Sequence, residues 1–408
     1  MSAQALQPKA IPLQNVVATF VDRGTLRNRE LFEQLSLDLG LTEQQTKARA
    51  PVGKSGAVHN LFERTVRWHC QTLRRLGIIE RVDRGVWALT DKARKDLTVA
   101  PRKAVMLAFS TELGCALWGN AEDVFSDLGE DITLAFTSPP YPLAIQRHYG
   151  NVDQTHYVDW LCGVMEPVIK HLRPGGNVVL NLTNDCFEPQ SPSRSLYLER
   201  LTLALCDRFG LKLMDRIVWL NPQKPPGPIQ WASKARVQCN VQYEHCLWFT
   251  NDPSCVIADN RRVLRPHTES HLKLIQRGGE TRSASNSGGA YVIRPGSYSA
   301  PTAGAIPRNV LNIPHRDASQ KPARDFAKAH GLPVHPATMP SRLAEFFVEF
   351  LSEINDLVVD PFGGMATTGK AAENKGRRWL LTERCREYLL SASQRFTGCK
   401  GFSESFAN

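Results

Sequence analysis

Apolar and polar positions divide the chain into two rhythms. Up to about residue 100 the rhythm is helical. Leu31, Phe32, Leu35 and Leu39 fall on one stripe of residues 27–39. Residues 12–20 carry the same period. Leu61, Val66, Trp68, Leu73 and Leu76 line an amphipathic helix that stops at Gly77, a residue suited to a helix C-terminus. Ala50 to Gly56 reads as a loop. Ile78–Arg81 and Val86–Leu89 bracket Asp83-Arg84-Gly85, a hairpin signal, and Thr90 caps a last helix.

After Pro101-Arg102, which reads as a linker, short apolar runs alternate with helical stretches. Strands are expected at Leu113–Leu117 (an edge strand), Ile132–Phe136, Asn177–Leu182, Lys212–Leu220, Glu244–Thr250, Asp356–Val359 and Trp379–Leu381. Helices are expected at Tyr157–Leu172, stopped by Pro174-Gly175-Gly176, and at Ser195–Phe209. Strand alternating with helix predicts an α/β fold with a doubly wound parallel sheet covered on both faces. The domains expected are a small, mainly helical unit, 1–103, and a large α/β unit, 104–408. Residues 259–310 are rich in Gly, Ser, Pro and Arg, have no period, and are too long for an idle connection.

Composition narrows the class. No apolar run in the 408 residues approaches the eighteen or so of a membrane span, and the N-terminus lacks a signal-peptide pattern. Ten cysteines without a Cys-x-x-Cys pair suggest reduced thiols of a cytoplasmic protein, not a zinc ribbon or a disulfide framework. His267 and His271 lack the companions of a metal site, so no metal is expected. The formal charge is +10, with net +8 through Lys103 and net +5 from Asp259 to Val310; the rest is slightly acidic. Two basic segments around a near-neutral body point to nucleic acid. Helices followed by a short basic hairpin resemble a winged helix-turn-helix domain. That resemblance implies a recognition helix bearing Arg64, Arg67, Arg74 and Arg75, with Arg81 and Arg84 on the wing.

Two stretches carry chemistry. The first is Thr137-Ser138-Pro139-Pro140-Tyr141, directly after the strand Ile132–Phe136. Consecutive prolines end both helix and sheet pairing and remove N–H donors, leaving carbonyl oxygens and a hydroxyl. Such a loop can hold an exocyclic amino group by its hydrogens while Tyr141 stacks on the ring. The second is Asp360-Pro361-Phe362-Gly363-Gly364-Met365-Ala366-Thr367-Thr368-Gly369, between a strand and a helix. Its glycines allow close backbone approach, the helix start offers N–H donors, and Glu383 ends the next strand where ribose hydroxyls are held in doubly wound folds. Gly364 to Lys370 has the spacing of a phosphate-binding loop, but Ala371 lacks the hydroxyl that would bind Mg²⁺. Asp360 repels phosphate and suits an ammonium group.

Together the motifs resemble the DNA amino-methyltransferases of the circularly permuted β type, in which the catalytic motif precedes the cofactor motif. The similarity is greatest to the PvuII-type N4-cytosine enzymes. It extends through Tyr149-Gly150-Asn151, Trp219-Leu220-Asn221-Pro222, Gly304 to Pro314, His335-Pro336-Ala337 and Leu343 to Phe347. The resemblance implies a Rossmann-like methyltransferase sheet and S-adenosylmethionine as cofactor. It implies Ser138, Pro139, Pro140 and Tyr141 at a flipped-out cytosine. On the cofactor side it implies Asp360, Phe362, Gly363, Gly364, Thr367, Glu383, His335, Pro336 and Thr137. Asn120 stands where relatives often carry an aspartate against the adenine, and Met365-Ala366 replace the usual small residues of the glycine loop. Double-stranded DNA is the implied partner, read by residues 221–310, with Trp231, Arg236, Arg261 and Arg262 contacting it. A cognate restriction endonuclease is a further implied partner. The alternatives are N6-adenine methylation and a non-catalytic winged-helix regulator that senses the cofactor.

Overall fold

The computed structural model describes residues 25–52, 57–75, 79–90, 98–143 and 152–406, with Ile11, Val16, Thr19, Phe20 and Arg23. The expected helix over 12–20 (for the most part), Gly77, the helix after Thr90 and Tyr149-Gly150-Asn151 lie outside the described residues. The chain divides into two compact units, Met1–Asp96 and Leu97–Asn408.

In the first unit β1 (Leu26–Arg27) precedes α1 (Asn28–Asp38) and α2 (Glu43–Thr46). Ala50 to Gly56 is not simply a loop. Arg49–Val52 (β2) pairs antiparallel with Ala57–Asn60 (β3), because Pro51 can occupy a two-stranded ribbon whose outer edge needs no donor. Helix α3 (Leu61–Arg75) buries Phe62, Val66, Cys70 and Leu73 and turns Arg64, Arg67, Trp68 and Arg74 outwards. β4 (Ile79–Asp83) and β5 (Val86–Leu89) form the expected hairpin, and β1 adds to it in the order β1-β5-β4. Trp87 closes the core and donates its indole N–H to Asn28 at 2.9 Å.

The second unit is built on a ten-stranded sheet. Its elements are β6 (Met106–Ser110), β7 (Gly114–Trp118), α4 (Ala121–Phe125), β8 (Ile132–Thr137), α5 (Tyr157–Lys170), β9 (Leu172–Thr183), α6 (Tyr197–Phe209), β10 (Lys212–Leu220) and β11 (Tyr243–Thr250). After these come α7 (Glu269–Gln276), β12 (Ala284–Asn286), β13 (Tyr291–Ile293), β14 (Val310–Asn312), α8 (Lys321–Ala329), α9 (Ser341–Leu351), β15 (Leu357–Asp360), α10 (Thr367–Asn374), β16 (Arg378–Glu383), α11 (Arg386–Ser393) and β17 (Ser403–Glu404). The spatial order is β14-β10-β11-β9-β8-β15-β16-β7-β6-β17.

Three expectations are corrected. The sheet is mixed: β11 runs antiparallel to both β9 and β10, and β6 antiparallel to β7. β7 is internal, flanked by β16 and β6. β9 starts at Leu172 and runs through Pro174-Gly175-Gly176, with Gly175 at φ 74° fitting where a Cβ would meet the Cys255 carbonyl at 2.0 Å.

Alternation along the central strands feeds two cores. Leu134, Phe136, Val179 and Val358 face α9 and α10, where Phe347 packs on Phe136 with ring centres 4.9 Å apart. Ala135, Val178, Leu180 and Val359 face α5 and α6. Truncating one such buried ring to alanine costs about 3–5 kcal/mol. The arrangement leaves β8 and β15 adjacent and parallel at the point where strand order reverses, which is where doubly wound sheets open a crevice at their carboxyl ends.

Candidate active site

Both chemical motifs begin at that crevice. β8 ends at Thr137 and β15 at Asp360, and the Thr137 hydroxyl donates to Asp360 Oδ1 at 2.6 Å. A cavity of about 840 Å³ opens above them, large enough for a nucleoside-sized cofactor and a base together. Ser138, Pro139, Pro140 and Tyr141 form one wall, and Phe362, Gly364 and Glu383 another. His335 and Pro336 reach it from the segment before α9, and Asn120 from the end of β7.

Other expected cofactor residues stand behind the wall. Asp360 is 4% exposed, and Thr137, Gly363 and Thr367 are also buried. Gly363 is a glycine for packing: a Cβ there would come within 2.7 Å of Leu381 Cδ1. Thr367 Oγ1 accepts from Arg395, whose guanidinium also donates to the Met365 carbonyl and so braces the loop from below. Gly364 does border the cavity, at φ 50°, and its N–H donates to Glu383 Oε2 at 2.8 Å. Glu383 Oε1 accepts from Cys385 N–H at 2.7 Å. The phosphate-loop alternative fails a second time at Lys370, which points to Cys399 Sγ at 2.9 Å, away from the cavity.

Burial sets the electrostatics. It raises the Asp360 carboxyl to about 6, against the pull of Thr137 and the Phe362 N–H, and it raises Glu383 as well. It also lowers His335 to about 4, so its ring, packed edge-on against Tyr388 at 4.5 Å, is neutral. Two neutral-leaning walls, an aromatic floor in which Trp160 packs against Phe362 at 5.5 Å, and buried carboxyls suit a cation bearing sugar hydroxyls.

Sequence reading missed a polar cluster beside Ser138. Tyr141 Oη lies 3.1 Å from Ser138 Oγ and donates to Glu244 Oε2 at 3.0 Å. Asn181 Nδ2 sits within 3.4 Å of Ser138 Oγ, Tyr141 Oη and Glu244 Oε2, and Lys224 Nζ donates to Glu244 Oε1 at 3.1 Å. The available signal was Asn181 within the apolar run Val178–Leu182 of β9 and Glu244 near the start of β11. Lys224, Arg316 and Arg384 also border the cavity.

The expected DNA-contacting residues separate. Trp231 and Arg236 lie on the 221–242 loop, which springs from the carboxyl end of β10 and borders the cavity through Gln223, Lys224 and Pro225. Arg261 and Arg262 do not lie there. β11 is antiparallel, so the chain after Thr250 leaves from the opposite end of the sheet and returns there at β14, which is parallel to β10. Arg262 donates to the Ser352 and Phe350 carbonyls at the C-terminus of α9, and Arg261 is held two-pronged by Asp259. Both are thus engaged by the protein's own groups, and of the expected 221–310 region the described residues that border the cavity lie within 221–244. Arg64, Arg74 and Arg84 are exposed in the first unit; Arg67 is exposed, paired with Glu63 at 2.7 Å and set over Phe32.

A doubly wound sheet whose switch point joins a glycine loop and buried carboxyls to an acceptor-rich Pro-Pro-Tyr loop defines a group-transfer enzyme acting on an amino group. Known proteins agree. A family model described as "DNA methylase" matches residues 132–394, and one described as "Mrr N-terminal domain" matches residues 13–98. The chain is 32% identical over 292 residues to the type II methyltransferase M.PvuII of Proteus hauseri, covering 71% of this chain and 85% of that protein. It is 25% identical over 296 residues to M.BglII of Bacillus subtilis, covering 71% of each. Among solved structures the PvuII DNA methyltransferase, titled cytosine-N4-specific, superposes with a TM-score of 0.56 at 30% identity, covering 70% of this chain and 87% of that one. The chain belongs to the DNA methylase family, whose methyl donor is S-adenosylmethionine and whose substrate is DNA.

Proposed function

We propose that this protein methylates the N4 amino group of a cytosine flipped out of double-stranded DNA, at a specific sequence. The observation that carries the reading is that Ser138-Pro139-Pro140-Tyr141 and the loop through Phe362 and Gly364 line one cavity, with M.PvuII as the similar protein of named type.

S-adenosylmethionine supplies an electrophilic methyl group when bound. Glu383, Phe362, Gly364, His335, Pro336 and Asn120 would hold it, with Asp360 lending negative charge from behind. The protein's own work lies at the amino group, a poor nucleophile because its lone pair is delocalised into the ring. Ser138 Oγ and the Pro139 carbonyl accept its two hydrogens, draw the nitrogen towards tetrahedral geometry and release that lone pair. The rigid Pro139-Pro140 backbone fixes these acceptors, so orientation supplies much of the acceleration. Tyr141 stacks on the extruded ring. Arg316, Arg384 and, on the 221–242 loop, Arg236 contact phosphates near the target. On α3 of the first unit, Arg64, Arg67, Trp68 and Arg74 share one outward face in a winged-helix-like reader of DNA. A restriction endonuclease cutting the same sequence is the companion this reading implies.

The test is incubation of the purified protein with tritiated S-adenosylmethionine and unmethylated bacterial DNA, followed by nucleoside mass spectrometry. N4-methylcytosine, absent with Ser138→Ala, is expected. N6-methyladenine would overturn the choice of base, and no transfer to any DNA would overturn the function.

A further inference from the structure

Apart from Tyr141, the polar cluster beside Ser138 belongs to neither motif, and the methylation reading leaves one proton unaccounted for. Methyl transfer forms the N4–carbon bond, breaks the donor's sulfur–carbon bond and leaves N4 with one hydrogen too many. Ser138 can take that proton only if it loses its own. The Pro-Pro turn offers no base, and the buried Asp360 stands behind the cavity wall, bonded to Thr137 and the Phe362 N–H.

We infer that Glu244 is the terminal proton acceptor of the reaction, reached through a relay from Ser138 Oγ by way of Tyr141 Oη. The links are 3.1 Å and 3.0 Å and end on Glu244 Oε2. The N4 proton passes to Ser138, the serine proton to Tyr141 and the tyrosine proton to Glu244, whose carboxylate becomes a carboxylic acid and later yields its proton to water at the cavity mouth. Each hydroxyl ends as it began. Burial and the neighbouring carboxylate hold the Tyr141 phenol well above its ordinary value, so it is a neutral donor as the relay requires. Asn181 fixes the line. Its Oδ1 lies in hydrogen-bonding reach of Cys246 Sγ at 3.5 Å, which turns its Nδ2 towards all three relay oxygens. Lys224 Nζ pairs with the opposite oxygen, Oε1, and leaves Oε2 to the relay. The geometry follows from register: Glu244 pairs with Thr183 and Cys246 with Asn181, so antiparallel β11 brings its first residues to the same end as the close of β8.

The inference rests on N4 methylation, and the test separates the two. Single-turnover methyl transfer to DNA would be measured against pH for the full-length protein, Glu244→Gln, Glu244→Asp, Tyr141→Phe and the double variant. Cofactor affinity by calorimetry and extrusion of a 2-aminopurine target by fluorescence are followed alongside. Glu244→Gln should slow transfer about 100-fold, the scale of a lost general base, and remove an acid limb from the profile. Glu244→Asp should restore most of the rate, while affinity and extrusion change less than about twofold. The double variant should be no slower than the worse single one, because both break a single path. Tyr141→Phe keeps the Lys224–Glu244 pair and repeats the test independently of it. An active wild type with Glu244→Gln unchanged in rate and pH profile, or with multiplying losses, would overturn the relay alone. A wild type inactive on all DNA would overturn the methylation reading first.

Discussion

Asp360→Asn should make this protein more stable and a worse methylase. The carboxyl is 4% exposed and lies among Thr137, the Phe362 N–H and Thr368. Burial holds it at about 6 instead of 3.8. The anion is therefore disfavoured in the folded state by about 3 kcal/mol. Because the folded value is the higher one, the stability this group contributes is present below about pH 4 and is lost as pH rises through 6. Asparagine keeps Oδ1 as acceptor for Thr137 and Phe362, while its NH₂, replacing Oδ2, forfeits part of the gain. A net gain of about 1–2 kcal/mol at pH 7.5 follows, or about 2–4 °C in Tm at the sensitivity of a domain this large. Thermal melts of both proteins from pH 4 to 8 measure it. The variant should melt below wild type near pH 4, by about 1 kcal/mol, cross over between pH 4 and 6.5, and then hold a level gain. S-adenosylmethionine affinity should fall at least tenfold, because the charge that opposes folding is the one that attracts the cofactor. A variant that melts below wild type at pH 7.5, or a gap independent of pH, would refute the argument.

Gly364→Ala forces a side chain into φ 50°, with its Cβ 3.4 Å from His335 Nε2, and should weaken cofactor binding severalfold with about 1 kcal/mol of destabilisation, read by calorimetry and thermal melting. Arg262→Ala should lower Tm through lost hydrogen bonds to the end of α9 and leave DNA affinity and its salt slope unchanged. Arg236→Ala, on the catalytic-end loop, should instead reduce the salt slope of DNA binding by about one, measured by fluorescence anisotropy across salt concentrations. Arg395→Met should strip the Met365 carbonyl and Thr367 of their donor and cost about 2–3 kcal/mol, with a matching loss of cofactor affinity.

The catalytic and cofactor strands were legible because both are continuous apolar runs cut off by proline or glycine. Ile132–Thr137 is buried throughout, as is Leu357–Asp360, and residue identity alone announces both turns. β6 and β14 were not legible. Met106–Ser110 carries three residues exposed or half-exposed at the border of the sheet, and Val310–Asn312 is held by register with β10, without a pattern of its own. The direction of β11 was also out of reach, since an apolar strand reads the same in either sense. That one unknown decided much. It brings Glu244 to Tyr141 across 103 residues of chain and carries Arg261 and Arg262 away from the cavity. Single-residue chemistry could be read locally, whereas the polar cluster depends on pairings between strands distant in sequence.

The order of strands in the sheet also constrains how the protein is made. β8 is synthesised more than 200 residues before β15, its neighbour, and β7 waits as long for β16. A nascent chain therefore carries its catalytic loop long before the middle of its sheet exists. Until residues 357–383 emerge, β8, buried throughout in the finished fold, has one bare edge, the kind of surface that attracts chaperones or aggregates. A ribosome stalled short of β15 yields a chain with the Pro-Pro-Tyr loop but no cofactor pocket. Such fragments are substrates for proteolysis and not partial enzymes, and chromosomal DNA meets a methylase only when the last central strands have closed the sheet.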